Sequence, residues 1–511
     1  MAAVVTDQFR ILNASNFVDS VVSDNNSYYV FLGLDNPTAV GFGRTSDWDT
    51  NTPNPTDNIQ YSGHYKDTAL FGKKITSSNI RRIIRKVTWS SNTSYDMYRD
   101  DYSISKPAPN SNSSRLYDAN YYVVNSDYRV YICIDNGSSG ESPKGNKSQD
   151  EPTFTDLEPS AAGVSGDGYV WKYLFSISPS DIIKFDSTEY VTVPNDWATS
   201  SDSQIVSVRE AGDSTINFNQ IKKVYIEDGG TGYSSGTVDI LGDGSGGRVS
   251  ITATGGVITS AIVTAGGSGY TYGIVDLGSL QPSGSIPNPA KLIPIIPPSK
   301  GHGYDIYSEL GTDKVLVYAR FDDSTKDFPT DTQFSQVGII KNPTTFTSDV
   351  IFTENQYSSL YAVVLTTAIN TVIGEKITQT RTDGTVAKGY VASYDSETKV
   401  LKYFKDRSLY FGNKFDQTDY NRVTLDSNVF DFESGGSNIV SNSFTASINT
   451  SFNDNKITVG NKVIDLGATF TNGLANPEIN KNTGDIIYID NRPLVERDIR
   501  QKEDVKIILE F

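Results

Sequence analysis

Gly484-Asp-Ile-Ile-Tyr-Ile-Asp-Asn-Arg-Pro493 and, a few residues on, Asp504-Val-Lys-Ile-Ile-Leu-Glu-Phe511 carry the reading that decides the fold. Proline fixes its own φ and biases the residue before it toward extended backbone, so Asn491-Arg492-Pro493 reads as a turn between two strands. In the last stretch Val505, Ile507, Leu509 and Phe511 share one face, with Lys506 and Glu510 on the other. That period of two belongs to a half-buried strand. The expectation is a chain that ends inside a sheet, with no flexible tail.

The same texture runs outward through the chain. Its 511 residues, 37% hydrophobic and 21% charged, suit an ordered protein of about two to four domains. Tyr (30) and Phe (23) dominate the aromatics and are interleaved with Thr, Val, Ile, Asn, Ser and Gly, a mixture that favours short strands joined by turns. Two short helices are expected near the start. Ser15 is placed to cap one whose Phe17, Val18, Val21 and Val22 share a face, and Ile80, Ile83, Ile84 and Val87 show helical spacing over Ser78 to Lys86. The fold class is therefore mainly β with a few short helices.

A repeat marks the middle. Ile226-Glu-Asp-Gly-Gly-Thr-Gly-Tyr233 matches Val263-Thr-Ala-Gly-Gly-Ser-Gly-Tyr270 at an offset of 37 residues, each copy giving strand, glycine turn with a tyrosine, and strand. Arg248 to Thr254 and Gly256 to Val263 form a predicted hairpin between them. Pro282 to Pro298 follows as an extended, stiff connector. Later, Gly374 to Gln379, Gly389 to Tyr394 and Lys399 to Phe404 read as consecutive strands of a small barrel or sandwich. Polar loops span Asp47 to Asn58 and Asn136 to Glu151.

Several blocks, in order along the chain, resemble one family. Gly166-Asp-Gly-Tyr-Val-Trp171-Lys-Tyr-Leu-Phe175 followed by Glu189-Tyr190-Val-Thr-Val-Pro194 is the most distinctive. Val130-Tyr-Ile-Cys-Ile-Asp135 and Phe334-Ser-Gln-Val-Gly-Ile-Ile-Lys-Asn-Pro343 join it. So do Phe9-Arg10, Asn16-Phe17, Gly43-Arg44-Thr-Ser-Asp-Trp48 and the C-terminal strands. Together they resemble the baseplate wedge protein family, gene product eight, of T-even-like contractile-tailed bacteriophages. The resemblance implies an elongated β-rich homodimer that binds other wedge proteins and tolerates rearrangement when the sheath contracts. It also implies assembly in the bacterial cytoplasm and a place in the virion's tail baseplate. Two segments look extra to the family. The expected layout is a discontinuous body (1–205, 301–345, 476–511) carrying one inserted module with its connector (206–300) and a second module (346–475).

Chemistry is sparse. A net charge of −17, from 44 basic and 61 acidic residues, disfavours nucleic acid and anionic membrane as partners. No run approaches the ~18 apolar residues of a membrane span, and the first ten residues lack the basic start of a signal peptide. The single cysteine, Cys133, sits in an apolar run and reads as a buried structural thiol. His64 and His302 lie far apart, so a His/Cys metal site is not expected, and His302 in Gly-His-Gly reads as a turn residue. Gly242-Asp-Gly-Ser-Gly-Gly247 fits Gly-x-Gly-x-x-Gly, but a strand follows where a dinucleotide site needs a helix, and with Tyr233 and Tyr270 where calcium repeats need aspartate it reads as a β-turn.

Asp167 and Asp490 are expected to cap turns, and Trp171, Tyr173 and Phe175 to face a core. No catalytic residue, cofactor or metal is assigned. The one strong basic cluster, Arg81, Arg82, Arg85 and Lys86, reads first as a helix face paired with local acids such as those of Tyr95 to Asp101. Its alternative is a docking surface for an acidic neighbour. The function expected is a non-enzymatic structural subunit. The rivals are a receptor-binding fibre or tailspike that binds carbohydrate and, more remotely, a secreted carbohydrate-active enzyme.

Overall fold

Residues 4–34, 47–213, 220–281, 288–322, 332–405, 431–497 and 501–511 are described by the computed structural model. They form two units, each assembled from separated pieces of sequence: Met1–Asn16, Arg81–Leu316 and Ile508–Phe511 in the first, Phe17–Ile80 and Val317–Ile507 in the second. Antiparallel strands dominate both, as the composition predicts. The family-like residues 43–46 and part of the proline-rich connector, 282–287, lie outside the described residues.

The first unit is built around an antiparallel sheet of Tyr122–Val124, Arg129–Asn136 and Tyr169–Ser176, in that order. Cys133 stands opposite Trp171, and Tyr131 opposite Tyr173. Trp171, Tyr173 and Phe175 are buried, as expected, but so are Lys172 and Leu174 between them, so the strand is covered on both faces. Rings fill the space. Tyr169 stacks on Trp171 at 5.3 Å, Tyr95 meets Trp171 edge-on at 5.9 Å, and Phe175 meets Trp197 at 6.1 Å. Cys133 is free and fully buried, and burial pushes its thiol pKa well up, which makes it the inert core residue the sequence implied.

The glycine-tyrosine repeat forms a four-stranded sheet ordered Val257–Ser268, Ser245–Thr254, Gly236–Gly242, Gly273–Val275, with the expected hairpin between the first two. The two tyrosines are pegs. Tyr270, fully buried, donates to the Ile240 carbonyl at 2.8 Å and accepts from Gly247 N at 3.1 Å. Tyr233 accepts from Ala290 N at 2.9 Å. A Cβ on Gly244 would lie 2.5 Å from Tyr270 Cγ, so the glycines make room for the ring. Asp243 closes the turn by accepting from the backbone of Thr271 (2.9 Å) and Tyr272 (3.2 Å). The glycine-rich run is thus a β-turn.

The second unit holds a five-stranded antiparallel sheet ordered Gln356–Ser358, Ala69–Lys74, Tyr28–Gly33, Gln333–Lys341, Asp485–Glu496. Every residue of Tyr28–Gly33 is buried, the mark of a central strand. A seven-stranded sheet contains Lys376–Thr380, Val386–Asp395 and Val400–Lys405 side by side, the three consecutive strands read from the sequence. Val363, Ile377, Val391 and Leu401 form its core.

Four expectations are corrected. The first helix runs Asp7–Val22, so Ser15 lies inside it and caps nothing; Ile11, Ala14, Val18 and Val21 are its buried face. Ser78 to Lys86 is not a helix but a short 3-10 turn, Ser77–Asn79, followed by the strand Ile80–Arg85. The helical spacing was misleading because Arg82 is buried along with Ile80, Ile83 and Ile84, which hides the period of two. Asn491-Arg492-Pro493 does not end a strand: Asp485–Glu496 runs through it. The sheet absorbs the proline at a register shift where Phe334 and Gln336 face Val495 and Asn491. Asp490, inside that strand, receives Arg492 Nε at 2.8 Å and caps no turn. By contrast the last strand, Glu503–Glu510, alternates as read, with Ile507 buried and Val505 and Leu509 partly so.

Candidate functional site

The basic run lies on the strand Ile80–Arg85, which pairs antiparallel with Tyr190–Val193 so that Arg82 faces Val193 and Arg85 faces Tyr190. Each cation is engaged within the first unit. Arg81 reaches Asp181 with Nε at 3.1 Å and a second guanidinium nitrogen at 3.0 Å, and lies over the Phe185 ring. Arg82, 3% exposed, stacks its guanidinium 4.3 Å from the Tyr307 ring centroid and donates to the Asn195 carbonyl at 3.3 Å. Arg85 donates to the carbonyls of Asp118 (2.8 Å) and Ala119 (3.1 Å). Lys86 binds both carboxylate oxygens of Asp186, at 2.7 and 2.9 Å. The two acids flank the helix Pro179–Phe185, Asp181 in its first turn and Asp186 at its C-cap, and are not those of Tyr95 to Asp101.

The same unit contains a buried polar cluster. In Gly301-His-Gly303 both glycines take positive φ, 87° and 90°, which lets the chain turn so that His302 enters the interior. His302 Nδ1 lies 2.5 Å from Glu309 Oε1, and Gly303 N donates to Glu309 Oε2 at 2.7 Å. Tyr98 meets the imidazole edge-on at 4.8 Å. Glu309 belongs to the helix Ile306–Leu310, capped by Asp305, which accepts from Tyr307 N and Ser308 N. His302 is therefore a turn residue, as read, with a buried partner seven positions on that nothing in the sequence marked. The other histidine, His64, has a side chain outside the described set.

Lys172 is the second feature sequence reasoning missed. It is 4% exposed, donates to the Leu157 carbonyl, and borders a small pocket with His302, Lys222 and Glu158. Burial pulls its pKa down to about 8 against the opposing pull of Glu158 and Glu309. The sequence hint was available: a lysine between Trp171 and Tyr173 in a strand buried on both faces has no route to water. Among the described residues, no group of three or more His, Cys, Asp or Glu side chains is arranged to hold a metal. No helix there is long and apolar enough to cross a membrane.

The loop between Asn136 and Tyr169 lies beside these groups and is tied down by its own polar side chains. Asp167 accepts from Tyr169 N (2.9 Å), the turn role expected of it, and from Gln149 N (2.8 Å). Asn146 donates to the Asp167 carbonyl at 2.7 Å, and Asp150 accepts from Ser165 N at 2.8 Å. At its tip Val164 is fully exposed.

This region is also where comparison with known proteins falls. A family model described as Bacteriophage T4, Gp8 matches residues 132–230, from the Cys133 strand through the loop, the Trp171 strand and the Asp181 helix. The chain is similar to gp8. The baseplate wedge protein gp8 of Enterobacteria phage T4 is 26% identical over 219 residues, covering 38% of this chain and 60% of gp8. The chain thus spans less than two thirds of the relative it matches. The resemblance read from the Gly166 to Phe175 and Glu189 to Pro194 blocks is borne out, since both lie inside the segment matched to gp8.

Proposed function

We propose that this chain is a non-enzymatic structural subunit of a phage tail baseplate wedge. It assembles as a homodimer with other wedge proteins and holds its interfaces while the baseplate rearranges during sheath contraction. The observation that carries this reading is the gp8 match over residues 132–230, a segment that contributes Tyr169, Trp171, Tyr173, Phe175 and Trp197 to the aromatic core of the first unit. A rigid core bearing a long loop tied down by its own hydrogen bonds suits a part that transmits force, because its surface points stay in fixed register.

Contact points follow from what that segment leaves outside. Val164 is fully exposed and Ile183 is 81% exposed, both within the matched residues. Of the basic run, Arg81, Arg85 and Lys86 are half-buried, Arg81 and Lys86 keeping 19% and 16% of their side chains accessible, and these are the parts of the run that a partner would meet. The inserted segments 206–300 and 346–475 are proposed to reach further neighbours.

Reconstitution with the other wedge proteins of the same phage tests this. The full chain is expected to run as a dimer by light scattering and to enter a wedge complex, with Ile183→Asp weakening entry while leaving the melting temperature unchanged. A monomer that joins no complex would remove the reading.

A further inference from the structure

The second unit contains an open cleft of about 630 Å³ that the wedge reading does not use. That volume falls within the range of roughly 300–1,000 Å³ found for small-molecule sites. One wall carries aromatic rings in a fixed column: Tyr361 stacks on Tyr403 at 5.6 Å, and Tyr403 on Phe432 at 4.5 Å. Phe346 stands edge-on to Tyr361 at 6.4 Å and, at 37% exposure, is the accessible ring. The column fixes the wall, and Phe346 supplies the surface a ligand meets.

The lining also offers hydrogen-bonding groups that the described residues leave open. Among the described residues, the side chains of Asn455, Asn476 and Thr469 have no hydrogen-bond partner. Asp465 uses only Oδ1, accepting from Gly467 N at 3.0 Å, and so keeps its second oxygen. An amide presents both donor and acceptor, a hydroxyl does the same, and a carboxylate accepts twice. Such a set matches a ligand with many hydroxyls, each both donor and acceptor.

Charge narrows the class. The cleft is bordered by Asp431, Asp465 and Glu478, and the lysine beside it, Lys405, is committed to Asp431 at 2.5 Å. Phosphates and other anions are repelled. A purely apolar ligand would leave the amides and carboxylates dry and unpaired. A sugar ring meets both demands, since one face presents C–H bonds to the negative face of an aromatic ring while its rim presents hydroxyls.

We propose that this cleft binds a neutral oligosaccharide, with Phe346 stacking on a sugar face and Asn455, Asn476 and Asp465 taking its hydroxyls. The inference rests on the second unit alone and is independent of the gp8 match. The full chain is to be applied to an array of neutral and N-acetylated hexose oligosaccharides of three to six units, and the strongest binder titrated by calorimetry. The expected result is saturable binding that falls about ten-fold in Phe346→Ala and in Asn476→Ala, without change in melting temperature. Tyr272→Ala, which removes an exposed ring in the other unit, keeps full affinity. The proposal is overturned by an array with no saturable binder, by equal loss in Tyr272→Ala, or by a cleft that takes up only peptide from a random library.

Discussion

Trp48 Nε1 donates a 2.7 Å hydrogen bond to the backbone carbonyl of Arg492, a contact between residues 444 positions apart. It belongs to a set. Asp49 accepts from Leu494 N at 2.9 Å, and Asn491 donates to the Pro53 carbonyl at 3.0 Å. The strand Asp485–Glu496 is the edge of its sheet, and these contacts cover the stretch where Pro493 sits. Unpaired edge groups invite association with other chains, and the loop beginning at Trp48 occupies them.

Trp48 is 4% exposed, so ring and hydrogen bond can be separated by substitution. Trp48→Phe keeps most of the ring and should cost about 1 kcal/mol, whereas Trp48→Ala should cost about 3–5 kcal/mol. Urea unfolding monitored by circular dichroism measures both. Equal costs would mean that the ring contributes nothing beyond its N–H.

Gly72 stands opposite Tyr357 across the strand pair, and a Cβ there would lie 2.1 Å from the tyrosine ring. Tyr357 is fully buried, with Tyr29 and Phe352 packed against it, so the ring has nowhere to go. Gly72→Ala is expected to destabilise by about 1–3 kcal/mol, and Tyr357→Leu to relieve part of that loss in the double variant. Strict additivity in the double-mutant cycle would show that the ring is not the obstacle.

Arg85 ties the strand Ile80–Arg85 to the turn at Asp118 and Ala119 through two carbonyls. Arg85→Glu turns a donor into an acceptor facing acceptors, and should lower stability by about 1–3 kcal/mol. Thermal unfolding of the isolated chain tests this before any partner is added. A variant of wild-type stability would show that the two hydrogen bonds carry no net weight.

Lys172 gives a pH dependence of definite sign. Its folded pKa, about 8, lies below its ordinary value, so between pH 8 and 10 the unfolded chain holds a proton that the folded chain has released. The Lys172 contribution to stability therefore rises with pH across that window, by an amount on the order of 1–3 kcal/mol. Burial raises the Cys133 thiol and a set of tyrosines, Tyr117 and Tyr307 to about 12 among them, so these groups act oppositely, Cys133 from about pH 8.5 and the tyrosines as pH approaches about 10. Lys172→Met should remove that contribution, so that wild type gains on the variant between pH 8 and 10, while stabilising the chain at pH 7. Wild-type and variant profiles that run parallel from pH 8 to 10 would contradict this.

How far the sequence could be read depended on what buried each face. The Trp171 and Leu401 strands were legible because their apolar and aromatic runs are long enough to mark a strand even with Lys172 and Lys402 buried among them. Ile80–Arg85 was not, since Arg82 is buried under the Tyr307 ring and mimics a helical spacing. Pro493 looked like a terminator because the loop that satisfies its strand edge lies hundreds of residues earlier. The first helix begins two turns before Ser15, through polar positions that carry no clear stripe. In the functional regions, the glycines around His302 announced an unusual turn, but Glu309 and the open side chains near Phe346 are brought in by tertiary folding. The most distinctive resembling blocks, Val130 to Asp135, Gly166 to Phe175 and Glu189 to Pro194, contribute to the unit-one core, where packing constrains their buried residues, while Phe334 to Pro343 lies in the second unit.

The central claim is that this chain is a baseplate component. Immunogold electron microscopy of intact phage particles, with antibody against the full chain, tests it most directly. The account predicts label confined to the baseplate periphery. Label on the fibres would move the chain to receptor binding, and particles without label that also lack the protein by mass spectrometry would contradict the account.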